Sequence, residues 1–199
     1  QALSAPNSAE IVGLSDLVHE YAGYTSGHWV YTAWQYVPSD LVGQSYLILL
    51  NTYSDEGTDN NWSAQVWVNA DAGVIASDFD GGTLPLITDE WVELRVEIDL
   101  DEADNLQRFY YGGDLLYEKS WTEGVSGGGA LNIGAVDLFA AEASAVYYDD
   151  LSLQPAGVTA VTLGDFTSSH APSRILPFVL APLGLTLLAG MAIAWRRRR

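Results

Sequence analysis

The sequence predicts an all-β domain, built as a two-sheet antiparallel sandwich, followed by one C-terminal transmembrane α-helix. Apolar and polar residues alternate with a period of two between 10 and 153, and clusters of Gly, Asp and Asn separate the alternating segments. An uncharged, apolar run fills 175–195 and is followed by an arginine cluster. We therefore divide the chain into a sandwich at 1–155, a linker at 156–174, a membrane helix at 175–195 and a cytoplasmic arginine cluster at 196–199.

The strand at 90–100 shows the alternation most clearly. Its apolar residues Val92, Leu94 and Val96 share one side, and most of the positions between them carry charged residues. The same pattern predicts further strands at 28–37, 45–53, 62–70, 106–111, 115–121, 130–139 and 146–153. Turn-forming residues lie between strands at 55–61, 78–82, 101–105 and 126–129, as expected of a sandwich.

The C-terminal segment has the features of a membrane anchor. The composition shifts to Gly, Thr, Ser and Pro at 156–174, which indicates a spacer. The run at 175–195 is long enough for a helix to cross a hydrocarbon core of about 30 Å, and Trp195 stands at its interfacial end. Because the arginines at 196–199 are costly to translocate, we expect them to stay in the cytoplasm. The N-terminal domain then lies outside, in the cell envelope, as part of a single-pass membrane protein.

The linker, apolar helix and terminal arginines together resemble the bacterial sorting signals of the PEP-CTERM type. The resemblance implies a bacterial surface protein and an exosortase-like processing enzyme as a partner. The Pro-Glu-Pro motif of those signals is absent, and His-Ala-Pro-Ser occupies its position at 170–173, so a plain membrane anchor is the alternative. An exported protein needs an N-terminal signal, and the chain begins Gln-Ala-Leu-Ser. We infer that the signal was removed or that the first strand is missing.

Charge and cysteine content exclude several functions. Residues 1–173 hold all 26 acidic residues of the chain and only three basic ones, Arg95, Arg108 and Lys119. Such a surface repels nucleic acid and attracts cations, so we expect no nucleic-acid partner. The chain has no cysteine, which excludes disulfides and cysteine-based zinc sites, and its three histidines lack metal-ligand spacing.

Three segments carry a resemblance to a known family. A Trp-led amphipathic strand at 91–100 precedes a hairpin with a Gly tip, FYYGGDLL at 109–116, and the domain closes with YYDDLSL at 147–153. This order resembles the concanavalin A-like jelly rolls, which include laminin G-type and legume-lectin-type domains. The resemblance implies a jelly-roll sandwich, and the closing segment is similar to the last strand of carbohydrate-binding jelly rolls.

Aromatic and polar residues predict a binding face for carbohydrate or another extracellular polymer. The residues that we assign to this face are Trp34, Tyr36, Gln65, Trp67, Glu93, Arg95 and Glu97. Alternation places each of them on one side of its strand, opposite apolar residues that would form the core. The rings would stack on sugar rings, and the polar groups would bond sugar hydroxyls. The alternative is that the aromatic residues serve packing.

Oxygen-rich turns predict structural calcium as a cofactor. The first candidate is the turn that carries Asp99, Asp101, Asp104 and Asn105. Carboxylate and amide oxygens are the ligands that hard cations require. The second candidate is the pair Asp149 and Asp150, where the jelly-roll resemblance implies a calcium ligand shared with an acidic residue of the N-terminal strand. We choose Glu10 for that residue. Solvation of these acids without an ion is the alternative.

An enzymatic alternative rests on the segment 97–102. It resembles the Glu-x-Asp-x-x-Glu strand of laminarinase-type β-glucanases, which implies Glu97 as nucleophile and Glu102 as acid/base. A retaining enzyme requires the two carboxyls about 5 Å apart. In a regular strand these two side chains point to opposite faces, so a bulge would be needed. We therefore rank a membrane-anchored binding module first, a structural envelope protein without a specific ligand second, and a glycoside hydrolase third.

Overall fold

The computed structural model describes residues 1–101 and 103–157. Within these residues the chain forms ten strands: β1 Ala9–Glu20, β2 His28–Tyr36, β3 Gln44–Thr52, β4 Asn61–Asn69, β5 Val74–Ser77, β6 Thr83–Pro85, β7 Trp91–Asp99, β8 Leu106–Tyr111, β9 Asp114–Ser120 and β10 Ala135–Pro155. This part of the chain has no helix that is long and apolar enough to cross a membrane. The predicted membrane helix, the arginine cluster and most of the predicted linker lie outside the described residues.

All neighbouring strands pair antiparallel, and the ladder folds into two layers. The front sheet runs β6-β5-β4-β3 and continues into the first half of β10. The back sheet runs β9-β8-β7-β2 and continues into the second half of β10. Strand β1 pairs with β10 along both halves and so forms an edge of both sheets. The prediction of an all-β antiparallel sandwich is confirmed.

The long strand β10 passes from one sheet into the other. Residues 135–142 pair with β3, whereas residues 147–155 pair with β2. The change of partner follows a bulge at Glu142, which adopts a φ of 59°. Gly43 packs so closely against this bulge that an added Cβ would overlap the carbonyl group of Glu142. A glycine is therefore needed where the two strands separate.

The inward-facing residues of both sheets form one hydrophobic core. On β7 the alternation read from the sequence is kept, because Val92, Leu94 and Val96 point inward and are at most 6% exposed. They share the core with Leu47 of β3 and Val66 of β4. Burial of each such side chain stabilises the fold by about 1.5–3 kcal/mol. The side chains between them point away from the opposite sheet and form two outer faces.

Six predicted strands match β2, β3, β4, β7, β8 and β9 to within one residue at each end. The segments 130–139 and 146–153 are predicted as two strands, which is wrong, because 135–139 and 146–153 belong to the single strand β10 and 130–134 precede it. No bounds are predicted for β1. The sequence does not predict β5 and β6 either, because their four and three residues are too few to display an alternation.

Candidate functional site

The structure divides the predicted binding face between the two sheets. The outer face of the back sheet carries five of its residues, Trp34, Tyr36, Glu93, Arg95 and Glu97. The outer face of the front sheet carries the other two, Gln65 and Trp67. The prediction of one continuous face is therefore wrong. Alternation fixes the side of each strand on which a residue lies, but β4 and β7 belong to different sheets.

On the back face the predicted polar residues bind one another. Arg95 donates a hydrogen bond to Glu97, and its guanidinium lies 3.9 Å from the centre of the Tyr110 ring. The Glu97 carboxylate also accepts a hydrogen bond from the Tyr110 hydroxyl at 3.3 Å. Tyr36 packs against Trp91 with ring centroids 5.6 Å apart. Arg95 and Glu97 therefore already have partners within the protein.

Only one residue of the predicted catalytic pair is among the described residues. Glu97 lies on the outer face of the back sheet, whereas Glu102 is outside the described part of the chain. The separation of their carboxyls, on which the glycoside hydrolase hypothesis depends, stays a prediction.

The first predicted calcium turn brings Asp99 and Asp101 together with a histidine. One ligand atom each from His28, Asp99 and Asp101 lies within 4.8 Å of the others. The two nitrogens of His28 are 3.0 Å from Asp99 and 3.4 Å from Asp101. An imidazole nitrogen suits zinc and other transition metals, whereas calcium takes oxygen ligands.

The other two residues predicted for this turn have different surroundings. The Asn105 amide group donates to the Thr122 hydroxyl at 2.7 Å, and its oxygen accepts from the Thr122 N–H at 3.1 Å. Asp104 is exposed at the surface. The Asn105 amide is therefore hydrogen-bonded to Thr122 through both its nitrogen and its oxygen. Calcium binding by this turn stays a prediction.

Asp149, in the second predicted calcium site, fastens the N-terminal segment to the sandwich. Its Oδ2 atom accepts hydrogen bonds from the N–H groups of Leu3 at 2.8 Å and Ser4 at 2.9 Å. The backbone hydrogen bond from Ser4 is the main reason why the pKa of Asp149 lies below its usual value of 3.8. The carboxylate is thus stabilised in its ionised form by protein donors.

The two residues predicted beside Asp149 also bind protein groups. Asp150 accepts a hydrogen bond from the Ser4 hydroxyl at 2.8 Å. Glu10 accepts one from the Tyr147 hydroxyl at 3.0 Å. A calcium ion at this position stays a prediction.

The outer face of the front sheet contains a cleft that the sequence does not predict as a unit. Its volume is about 360 Å³, and it is lined by Asp16 of β1, Tyr46 and Ile48 of β3, Trp62 and Gln65 of β4, and Asp137 and Phe139 of β10. The register explains the grouping, since Tyr46 lies opposite Phe139 and Ile48 lies opposite Asp137. On the far side of β10, Asp16 lies opposite Phe139. We call this group the front cleft.

Aromatic rings form much of the surface in and beside the front cleft. Tyr46 stacks on Trp67 with ring centroids 6.2 Å apart and an interplanar angle of 23°, and its centroid lies 5.6 Å from that of Phe139. Trp62 is 40% exposed. Tyr46 and Phe139 pack against a small buried cluster on the outer side of the sheet, formed by Ile48, Leu50 and Ala135. Partly exposed rings on a packed base are suited to stacking on a flat ligand.

Two carboxylates give the front cleft its charge. Asp137 is half-buried, and its Oδ1 atom is fully buried with no hydrogen-bond partner among the described residues. Burial, and to a lesser degree the charge of Asp16, raises the pKa of Asp137 to about 6. The Gln65 amide donates to Asp78. The front cleft therefore combines apolar rings with a carboxylate whose buried Oδ1 atom receives no hydrogen bond from the described part of the chain.

The sequence holds only part of the signal for this site. Gln65 and Trp67 are recognisable as outward residues of one strand, and Asp137 and Phe139 alternate within the segment predicted at 130–139. The pairing of β10 with both β1 and β3, which brings Asp16 close to Asp137, joins segments far apart in the chain. No local pattern reports such a pairing.

No protein-family model and no curated protein matches this chain. Among solved structures, a sialidase has a TM-score of 0.50 at 8% identity, and the match covers 73% of this chain but only 14% of the sialidase. The carbohydrate-binding module CBM66 from Bacillus subtilis has a TM-score of 0.48 at 9% identity, covering 72% of this chain and 83% of the module. The Caenorhabditis elegans galectin LEC-6 has a TM-score of 0.43 at 11% identity, covering 72% of this chain and 95% of the galectin. The sialidase likeness concerns the fold alone.

Proposed function

We propose that this chain is a carbohydrate-binding module and that the front cleft is its binding site. The observation that carries the proposal is the row of rings formed by Trp67, Tyr46 and Phe139, beside the polar groups of Gln65 and Asp137. Sugars offer an apolar face to aromatic rings and hydroxyl groups to amides and carboxylates. The front cleft offers both kinds of partner on one outer face.

The size of the front cleft suits a short stretch of glycan. Its volume of about 360 Å³ is at the lower end of the ~300–1,000 Å³ range of ligand pockets. A stacking contact contributes about 0.5–1.5 kcal/mol beyond area burial, and a hydrogen bond contributes a similar amount. Two contacts of each kind give about 2–6 kcal/mol. Because association also costs freedom of motion, we expect a dissociation constant on the order of 1 mM for a small saccharide.

A structural envelope protein without a specific ligand is the alternative from the sequence. Burial of Trp34 and Trp67 between the sheets would favour it. Both residues lie on outer faces instead, and Trp67 stacks on Tyr46 beside the front cleft. These positions favour the binding module.

The membrane anchor and the structural calcium are further parts of the proposal. The uncharged run at 175–195 and the arginines after it support a single-pass anchor in a bacterial cell envelope, with processing by an exosortase-like enzyme as a further step. The carboxylates of Asp99 and Asp101 on one turn support the calcium. Alkaline extraction of membranes from cells that make the chain tests the anchor. We expect the chain to stay with the membranes, and release of the intact chain would contradict an anchor.

Affinity electrophoresis through gels that contain a panel of polysaccharides, with calcium present, tests the proposed site. We expect at least one polysaccharide to retard the chain, and the double substitution Trp62→Ala, Trp67→Ala to abolish the retardation. Trp34→Ala is the matched control, since it removes a partly exposed Trp from the outer face of the back sheet. Loss of retardation with Trp34→Ala alone, or no retardation by any polysaccharide, would contradict the proposal.

A further inference from the structure

The basic residues of the described part of the chain all lie on the back sheet. They are Arg95 on β7, Arg108 on β8 and Lys119 on β9. Both arginines donate to glutamates of their own sheet, and the Lys119 ammonium lies 3.3 Å from the centre of the Phe79 ring. The strands that line the front cleft, β1, β3, β4 and β10, contain no Lys or Arg. These strands therefore supply no Lys or Arg side chain to balance Asp16 and Asp137.

Among the described residues, Asp137 has neither a hydrogen-bond donor nor a counter-charge. Its buried Oδ1 atom accepts no hydrogen bond from the described residues. The carboxylate of Asp16, which lies on the neighbouring strand, adds repulsion when both are ionised. A half-buried carboxylate in these surroundings is unfavourable until a donor or a cation reaches it. Because Asp137 lines an open cleft between aromatic rings, a bound ligand is able to supply the hydrogen-bond donor and the positive charge that the described residues do not.

We propose that the front cleft selects sugars that carry a free amine, such as the hexosamine units of a deacetylated polysaccharide. This inference rests on the proposed carbohydrate-binding function. A protonated amine has three donors and a positive charge, so it serves Asp16 and Asp137 together while the sugar ring stacks on Tyr46 or Phe139. A hydroxyl group in the same place donates one hydrogen bond and brings no charge. An acetamido group likewise stays neutral.

Isothermal titration calorimetry with three hexasaccharides tests this selection. The three share one β-1,4-linked glucose backbone and carry a hydroxyl, an acetamido or an amino group at C2. The full chain is used in a detergent without a sugar headgroup, with a chelator present, at a pH of about 6.5, where Asp137 is mostly ionised. We expect the amino hexamer to bind about ten-fold more tightly than the hydroxyl hexamer.

Matched variants separate a specific contact from general attraction to an acidic protein. Asp137→Asn should bring the affinity of the amino hexamer down to that of the hydroxyl hexamer. Asp16→Asn, at an exposed strand position, should reduce the preference for the amino hexamer over the hydroxyl hexamer. This variant replaces Asp137→Asn in the test if Asp137→Asn fails to fold. Asp71→Asn removes one charge from the exposed turn after β4 and should keep the preference. Hexalysine, a polycation without sugar rings, should bind about ten-fold more weakly than the amino hexamer.

Each other outcome overturns the inference in a distinguishable way. Equal binding of the three hexamers overturns amine selection and leaves carbohydrate binding in place. The inference is also overturned if the amino hexamer still binds more tightly than the hydroxyl hexamer in both Asp137→Asn and Asp16→Asn, or if hexalysine binds as tightly as the amino hexamer. Either result indicates general attraction between opposite charges. Binding by none of the hexamers overturns the inference, and the polysaccharide panel then decides the proposed function on its own.

Discussion

Asp137→Asn should stabilise the folded chain at neutral pH, although it removes a charged group from the candidate site. The Asp137 side chain is half-buried, and its Oδ1 atom has no hydrogen-bond partner among the described residues. Burial and the charge of Asp16 both disfavour the ionised form, and they raise the pKa of Asp137 from 3.8 to about 6. Asparagine keeps the shape of the side chain and carries no charge, so it escapes this penalty.

The magnitude follows from the two pKa values. Because the folded state holds the proton more tightly than the unfolded state, the free energy of unfolding falls as the pH rises from about 4 through about 6. The full difference corresponds to about 3 kcal/mol above pH 7. Partial exposure to solvent reduces this to about 1–2 kcal/mol. Well below pH 3.8 the carboxyl is protonated in both states, and the advantage of asparagine disappears.

Urea denaturation of the full chain at about pH 4, 6 and 8 measures this effect. We expect Asp137→Asn to raise the free energy of unfolding by about 1–2 kcal/mol at pH 8, by less at pH 6 and by only about 0.3 kcal/mol at pH 4. Asp71→Asn, in an exposed turn, should show no such pH dependence. A gain that is equal at all three pH values, or a loss at pH 8, would refute the reasoning about the buried carboxylate.

The bulge, the N-terminal segment and the acidic turn give further predictions. Gly43→Ala should lower the free energy of unfolding by about 2–4 kcal/mol in urea denaturation, because its Cβ would overlap the Glu142 carbonyl. Gly57→Ala, in open space at a φ of 68°, should cost only about 1–2 kcal/mol, and equal costs would contradict the packing argument. Asp149→Ala should speed hydrogen exchange at the amides of Leu3 and Ser4 about ten-fold at neutral pH. The unsubstituted chain should lose the same protection when the pH falls through the pKa of Asp149, which lies below 3.8. Unchanged exchange would show that Asp149 does not hold the N-terminal segment in place. Calcium should raise Tm more than magnesium at equal ionic strength, and Asp101→Asn should remove the difference; equal shifts would leave the acids as a screened surface.

Strand positions are readable from this sequence because alternation is a local property. The segment 90–100 is predicted as a strand and runs Trp91–Asp99, with Leu94 and Val96 facing the core as expected. The short strands β5 and β6 are not predicted from the sequence because they span too few residues for a period to appear. Local chemistry therefore accounts for most of the strands and, on β7, for the side on which each residue lies. Alternation would place Trp62 with Ala64 and Val66 on the core side, but Trp62 is 40% exposed in the front cleft because the register of β3 and β4 shifts beside it.

The assignment of strands to sheets is not readable in the same way. Trp34 and Trp67 are both outward residues, but the sheets that carry them lie on opposite sides of the core. The passage of β10 between the sheets depends on the bulge at Glu142 and on the close approach of Gly43, a contact between distant segments. The same long-range pairing assembles the front cleft from four strands, and for this reason Asp16 and Asp137 are not predicted together.

An NMR titration of the indole N–H signals tests whether a glycan binds at the front cleft. The full chain is titrated with a fragment of a polysaccharide that retards it in the gel. If a glycan binds there, the signals of Trp62 and Trp67 shift in proportion to occupancy, while those of Trp34 and Trp91 on the back sheet stay in place. Shifts at Trp34 and Trp91 with unchanged Trp62 and Trp67 would place the ligand on the other outer face and contradict binding at the front cleft.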